Sequence, residues 1–407
     1  MSIVLAFSGG LDTSFCVPYL AETYGEPVYT VTVNTGGLTA GEAAALEAKA
    51  LELGAAKHLT LDARRDLYDD LLSYLIKGNV LRGGVYPLCV GPERVVQARH
   101  VVEAARQLGA RAVAHGSTGA GNDQVRFDVA LRILGGDLEI LTPIRDLGLS
   151  RPETAAYLTE RGFHASAEKA TYSINKGLWG TTIGGRETLT THDPLPEAAY
   201  PDTVAPAEAP DAPLDLTIAF EKGLPVALDG DTLDPVTLIE TLNDLGARHG
   251  VGRGIHVGDT ILGIKGRVAF EAPAPLILIT AHRELEKIVL TQWQQFQKNH
   301  LADFYGMMLH GAQYFDPVMR DIEAFLDASQ EVVTGTVRVR LHKGQVSVLG
   351  CDSPHSMFDA GVATYGETNQ LWDARDARGF TRIYGLQAYL AHRARQGAVS
   401  TPTQKDT

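Results

Sequence analysis

Near the amino terminus, Ser8-Gly9-Gly10-Leu11-Asp12-Thr13-Ser14 joins two adjacent glycines to three hydroxyls and one carboxylate. Adjacent glycines let a backbone turn tightly and approach a ligand closely. Successive N–H groups at a helix N-terminus form an anion cradle, which the helix dipole reinforces. Ser8, Thr13 and Ser14 add hydroxyl donors. Asp12 can hold Mg2+ beside phosphate oxygens. The pattern lacks GxxxxGK[ST] and GxGxxG, so it is neither a Walker A loop nor a dinucleotide fingerprint. The expected ligand is the polyphosphate of a nucleotide. A second glycine-rich run, His115-Gly116-Ser117-Thr118-Gly119-Ala120-Gly121-Asn122-Asp123-Gln124-Val125-Arg126-Phe127, reads as one short polar loop. Its Asn and Asp residues suit an ammonium or amide, and Arg126 suits a carboxylate. Gly250-Val251-Gly252-Arg253-Gly254 has no preceding strand and reads as a structural turn. The thirteen histidines show no metal-ligand spacing, and His249 and His256 are expected in loops or on the surface. There is no GxSxG elbow and no pairing of nucleophile with base.

These loops need elements to hold them. Ile3 to Phe7 is a short apolar run, as in a strand buried on both faces. Phe15 to Tyr24 continues as a helix. Pro27 to Val33 and His58 to Leu61 read as strands, and Gly41 to Leu53 and Leu67 to Ile76 as helices. Arg94 to Leu108 has helical period, and Ala112 to His115 is another buried strand. This alternation predicts an α/β domain with a parallel sheet and helices on both faces. Both glycine loops then share the carboxyl rim, where such sheets bind ligands. Pro194 to Pro213 carries six prolines and reads as an extended connector. Leu214 to Phe220 and Leu224 to Leu228 form a hairpin about Lys222-Gly223, as do Val332 to Leu341 and Gln345 to Leu349 about Lys343-Gly344. Val236 to Leu245 and Ala281 to Leu326 are mostly helical. An amphipathic helix near Leu386 to Arg395 precedes a polar tail expected to be disordered. The expected organisation is a nucleotide-binding domain over 1–165, an α+β domain over 166–370 and a C-terminal helix with tail over 371–407.

The chain has 407 residues, ample for several domains with sizeable cores. Apolar residues make up 44% and charged residues 21%, which excludes wholesale disorder. Lys+Arg 36 against Asp+Glu 49 leaves −13, so a large nucleic-acid or anionic-membrane interface is not expected. The three cysteines, Cys16, Cys89 and Cys351, lie far apart, which excludes a disulfide scaffold and fits a reducing cytoplasm. The N-terminal apolar run is too short for a signal or a span.

Together the two loops resemble a known family. Ser8 to Ser14 is similar to the loop of enzymes that split ATP into AMP and pyrophosphate. His115 to Phe127 closely resembles the signature of argininosuccinate synthase, and the likeness runs on through Tyr172-Ser173, Leu178-Trp179-Gly180, His249-Gly250-Val251-Gly252-Arg253 and Gly263-Ile264-Lys265. The resemblance implies an adenine nucleotide alpha hydrolase-like first domain, a synthetase and oligomerisation domain, and a cytoplasmic homotetramer in arginine biosynthesis. It implies that the ureido oxygen of citrulline attacks the α-phosphate of ATP, and that the aspartate amine then displaces AMP. It assigns ATP to Ala6, Phe7, Ser8, Gly9, Gly10, Leu11, Asp12, Thr13, Ser14, Val33 and Gly116, with Asp12 and Ser14 catalytic. Aspartate falls to Thr118, Asn122 and Asp123. The acceptor falls to Tyr86, Gly91, Asn122, Arg126, Ser173, Thr182, Gly258 and Phe270.

The departures from the pattern cluster on the acceptor. A Thr-Ser pair of the family reads Val90-Gly91 here, a Lys reads Ala120, a Ser reads Thr182, a Glu reads Gly258 and a Tyr reads Phe270. Two readings follow: a genuine argininosuccinate synthase, or a related ligase whose acceptor is another amide or ureido compound. A tRNA-modifying ATP pyrophosphatase would want a basic flank or paired cysteines. A catalytically silent relative would have let the phosphate loop decay, yet Ser8 to Ser14 is complete.

Overall fold

Ile3–Ala6 (β1) alternates its side chains between two apolar layers, which is why it is hydrophobic throughout. Ile3 and Leu5 pack with Phe15, Val17 and Leu20, whereas Val4 packs with Val101, Val102 and Val113 on the other side. Each such fully buried aliphatic side chain contributes about 1.5–3 kcal/mol. In this computed structural model, residues 1–119, 121–164, 171–362, 365–366 and 371–396 are described, and they form two compact units, Met1–His355 and Ser356–Thr407. Ala120 and the tail from 397 onward lie outside the described residues.

From β1 the chain runs through Leu11–Tyr24 (α1), Val28–Asn34 (β2), Ala40–Glu52 (α2) and Lys57–Asp62 (β3). Next come Arg64–Leu67 (α3), a π-helical turn at Tyr68–Leu72, Ser73–Gly78 (α4), Glu93–Gln107 (α5) and Ala112–Ala114 (β4). Asn122–Gly135 (α6), Glu139–Leu141 (β5), Pro143–Leu147 (α7) and Arg151–Glu160 (α8) complete this part. The strands form a parallel sheet of order β3-β2-β1-β4-β5, so the expected α/β class holds. Helices cover both faces, because the β1 layers reach α8 at Leu158 on one side and α6 at Leu131 on the other.

Two antiparallel sheets follow. Ser173–Gly177 (β6) and Gly180–Gly184 (β7) join a later hairpin in the order β11-β12-β7-β6. Leu214–Glu221 (β8), Leu224–Leu228 (β9) and Asp231–Thr232 (β10) belong to the other sheet, of order β10-β9-β8-β13-β14. Pro235–Arg248 (α9), which Asp234 caps, leads to Arg253–Asp259 (β11) and Lys265–Glu271 (β12). The region expected to be mostly helical resolves into three helices, Pro273–Val289 (α10), Gln292–His310 (α11) and Pro317–Gln330 (α12). Gly335–His342 (β13) and Gln345–Asp352 (β14) close this unit. Both expected hairpin turns are present. Lys222-Gly223 and Lys343-Gly344 have positive φ at both residues, as a two-residue type I′ turn requires. In the second unit, Ala374–Tyr384 (α13) and Leu386–Arg395 (α14) bury none of their residues.

The proline-rich segment departs from the extended-connector reading. It carries a 3-10 turn at Glu197–Ala199, and Glu271, 1% exposed, accepts the Thr203 N–H at 2.8 Å and the Thr203 hydroxyl at 2.5 Å. A buried carboxylate supplies the acceptors that this backbone needs.

Candidate functional site

The turn after β1 ends at Gly10, the N-cap of α1, which no side chain caps. The first N–H groups of that helix therefore have no intrahelical partner. Gly9 is held at φ +72°, and a Cβ there would strike the Leu46 side chain. The loop is braced from within. Ser8 Oγ and Thr13 Oγ1 lie 3.2 Å apart, Thr13 Oγ1 donates to the Gly10 carbonyl at 3.3 Å, and Lys49 Nζ donates to the Gly9 carbonyl at 2.6 Å. Gly116, after β4, presses on this turn. A Cβ at Gly116 would lie 3.1 Å from the Thr13 backbone nitrogen. Two glycine loops on neighbouring strands thus meet at the carboxyl rim, as the parallel order requires.

Between them lies a cavity of about 500 Å3. Ala6, Phe7, Ser8, Gly10, Leu11, Asp12, Thr13, Val33 and Gly116 line it. Gly9 and Ser14 do not line it, and Ser14 is buried with its hydroxyl donating to the Gly9 carbonyl at 3.4 Å. Burial raises the Asp12 carboxyl above its ordinary value, against the opposing charge of Arg151. The cavity also holds residues that the sequence did not flag: Glu93, Arg94, Arg151, Asn175 and Lys176. Lys176 arrives on the β6–β7 hairpin, which approaches closely because Gly36 and Gly37 leave no Cβ in its path. Burial pushes the Glu93 carboxyl up to about 8, although the Arg94 guanidinium opposes it. Alternating strand and hairpin geometry brought these groups together from distant positions, so no local motif announced them.

The residues from Asn122 to Arg126 are not a loop. They form the first turn of α6, whose apolar positions Ala130 and Leu131 reach the core. This turn divides two cavities. Asp123 faces the first, while Asn122 and Arg126 face a second of about 210 Å3. Asp123 accepts from Arg94 at 3.0 Å and from Arg126 at 3.1 Å. Burial would raise its carboxyl, but Arg94 and Arg126 together hold it below the ordinary value. Thr118 is exposed and lines neither cavity.

Tyr86, Gly91, Asn122, Arg126, Thr182 and Gly258 all line the second cavity. Phe270 is buried beside Tyr86, with ring centroids 5.3 Å apart. Ser173 is exposed on β6 and lines neither cavity. His256 corrects the surface expectation. It is 7% exposed, lies on β11 and stacks on Tyr86 at 5.6 Å. Its placement follows from the alternation of β11, which turns alternate residues toward the cavity. The turn at Gly250 and Gly252 is structural, with φ of +69° and +112°. A third, larger cavity of about 580 Å3 is lined by Asn79, Arg283, Glu286 and neighbours but holds neither glycine loop.

No group of three or more His, Cys, Asp or Glu side chains among the described residues could hold a metal by itself. No helix among them is long and apolar enough to cross a membrane.

With this geometry in place, known proteins bear directly on the chain. Residues 2–164 match the family model of the arginosuccinate synthase N-terminal HUP domain, and residues 172–391 match that of the arginosuccinate synthase C-terminal domain. An argininosuccinate synthase of Methanocaldococcus jannaschii is 40% identical over 387 residues, covering 95% of this chain and 97% of its own. One from Synechococcus sp. is 42% identical over 386 residues, covering 94% and 95%. A third, from Xanthomonas campestris pv. campestris, is 41% identical over 395 residues, covering 95% and 97%. The chain belongs to the argininosuccinate synthase family.

Proposed function

We propose that the protein is an ATP-dependent ligase that couples aspartate to a ureido or amide acceptor. ATP occupies the larger of the two cavities that meet at α6, with its phosphates on the Ser8 to Thr13 turn. The oxygen of the acceptor attacks the α-phosphorus, and pyrophosphate leaves. The aspartate amine then attacks the activated carbon, and AMP leaves. The observation that carries this reading is the shared wall. One helical turn, Asn122 to Arg126, borders both the glycine-loop cavity and the second pocket. Nucleotide and acceptor can therefore meet across it. Holding reactants in register can supply much of the barrier reduction, and fixed donors on the phosphates supply more. The chemistry needs no nucleophilic side chain.

Asp12 fits Mg2+. Its carboxylate lines the cavity on the Ser8 to Thr13 turn, and Mg2+ is usually held by one or two carboxylates plus substrate phosphates. The ion would neutralise charge on the leaving pyrophosphate. The exposed apolar side chains Trp293 and Phe296 of α11 support self-association, in keeping with a homotetramer.

The test is pyrophosphate release from ATP in the presence of Mg2+, aspartate and a panel of ureido and amide acceptors. Release that depends on one acceptor, and that continues past a single turnover only with aspartate, is expected. Release without any acceptor, or no uptake of ATP at all, would overturn the reading.

A further inference from the structure

The second pocket has an unusual charge balance. Among the described residues, three arginines line it, Arg82, Arg126 and Arg267, against one carboxylate, Asp259. That carboxylate is committed elsewhere. It pairs with Lys265 at 2.6 Å and its side chain is 59% exposed. Asp123, behind Arg126, already accepts from two guanidinium groups. Asn122 Oδ1 accepts the Ile261 N–H at 2.9 Å. Position 91 is a glycine and position 90 a valine, so this wall offers no hydroxyl.

The arginines are not equivalent. Arg267 Nη1 is spent on the carbonyls of Glu187, Thr190 and Asp193, at 2.9, 2.7 and 2.8 Å. Arg126 leans on the His310 carbonyl and on Asp123. Among the described residues the Arg82 side chain makes one bond, from Nη2 to the Asp259 carbonyl at 2.6 Å.

Between them sits His256. It is buried, and its Nε2 has no hydrogen-bond partner among the described residues. That nitrogen points at Gly258, where an added Cβ would lie 2.5 Å from it and 3.5 Å from the Arg82 guanidinium carbon. With no Cβ at Gly258, the imidazole nitrogen and the Arg82 guanidinium both close on the β11 backbone, and both residues line the pocket. Burial and Arg82 both hold His256 in its neutral form, and burial with Arg126 and Arg82 does the same to His310. A buried polar atom left without a partner is costly, so it marks a place where a ligand supplies one.

Resting on the ligase reading above, we propose that the acceptor is a ureido or amide compound that carries a carboxylate and no free ammonium, with the carboxylate read by Arg82 and Arg126 and a further polar group by His256 Nε2. An ammonium placed here would meet like charge and find no free carboxylate among the described residues. A carboxylate would meet two guanidinium groups, which suit its planar geometry.

The experiment uses the full chain with Mg2+ and α,β-methylene-ATP, so that no phosphoryl bond is cut. Calorimetry measures binding of four probes: citrulline, 5-ureidopentanoate (which lacks the amine), Nα-acetylcitrulline (which masks it) and 4-ureidobutylamine (which lacks the carboxylate). The two amine-free or masked acids should bind at least tenfold tighter than citrulline, and 4-ureidobutylamine weakest of all. In Arg82→Gln the preference for 5-ureidopentanoate over 4-ureidobutylamine should fall at least tenfold. Citrulline binding as tightly as the two acids, binding by none of the four, or an unchanged preference in Arg82→Gln would overturn the proposal. Pyrophosphate release with ATP and aspartate is measured in parallel. The expected binding order without turnover would leave the acceptor class standing and remove the ligase reaction.

Discussion

Replacing Asp123 with alanine tests the dividing turn of α6 most directly. Asp123 joins Arg94 and Arg126 at 3.0 and 3.1 Å, and the two arginine side chains are only 11% and 8% exposed. The substitution strands two largely buried cations. Each hydrogen bond to a charged group is worth about 1.5–3 kcal/mol, but the Asp123 side chain is 37% exposed, so a net loss of about 2 kcal/mol is expected. A urea titration followed by Trp fluorescence reads this loss. The sign with pH is fixed by the carboxyl, which Arg94 and Arg126 hold below its ordinary value despite burial. Its stabilisation is present above the unfolded value and disappears as pH falls through the folded one. The gap between wild type and Asp123→Ala should therefore close in acid. Kinetically, the KM for aspartate should rise at least tenfold, a change of about 1.4 kcal/mol. The KM for ATP should move far less, because the Ser8 to Thr13 turn is braced by its own hydroxyls and Lys49. Initial rates of pyrophosphate release with each substrate varied supply both constants. Equal rises in the two constants, or a stability gap unchanged from neutral pH into acid, would refute the reasoning.

Asp12→Asn should lower pyrophosphate release about 100-fold or more with an unchanged far-UV circular dichroism spectrum, since it removes charge from the phosphate cavity; near-normal turnover would take Asp12 out of the chemistry. Lys298→Met should cost about 3 kcal/mol in urea unfolding, because it leaves the buried Glu286, 2.8 Å away, without its cation; a change below about 1 kcal/mol would show that the amides of Asn79 and Gln330, which donate to Glu286 at 2.6 and 2.7 Å, suffice. Burial holds the His282 imidazole down to about 4, so it is neutral in the fold and protonates first in the unfolded chain. The His282 contribution to stability should thus decline by about 3 kcal/mol as pH falls from about 6.5 to about 4, read as the difference in urea unfolding between wild type and His282→Gln; a difference that stays flat over that range would contradict it.

The first strand, its glycine turn and the parallel class could be read from sequence because each is local. Ile3 to Ala6 is apolar on both faces, and Gly9-Gly10 sits between strand and helix. Both two-residue hairpins were equally plain, since Lys-Gly between alternating runs fixes turn and register together. The helix at Asn122–Gly135 was obscured by its own opening. Three glycines precede it, its first turn is polar, and Arg126 is buried where an apolar residue would mark the inner face. The apolar spacing farther along, at Ala130, Leu131 and Leu134, carried the missing signal. His256 was unreadable for another reason. Burial of one polar residue on β11 depends on Tyr86, from a segment 170 positions away in the chain, and no spacing encodes that. Arg94, Arg151 and Lys176 likewise reach the glycine-loop cavity only once the sheet and the β6–β7 hairpin are assembled.

Successive residues on a helix point about 100° apart, so adjacent positions on one turn can serve different chambers. In α6, Asp123 belongs to one chamber and its neighbour Asn122 to the other. A partition of this kind is thin along the chain yet sharp in space. It lets the far chamber be remodelled through Val90, Gly91, Arg82 and Gly258, none of which lines the glycine-loop cavity. New molecular tastes can then arise on machinery whose power stroke stays the same.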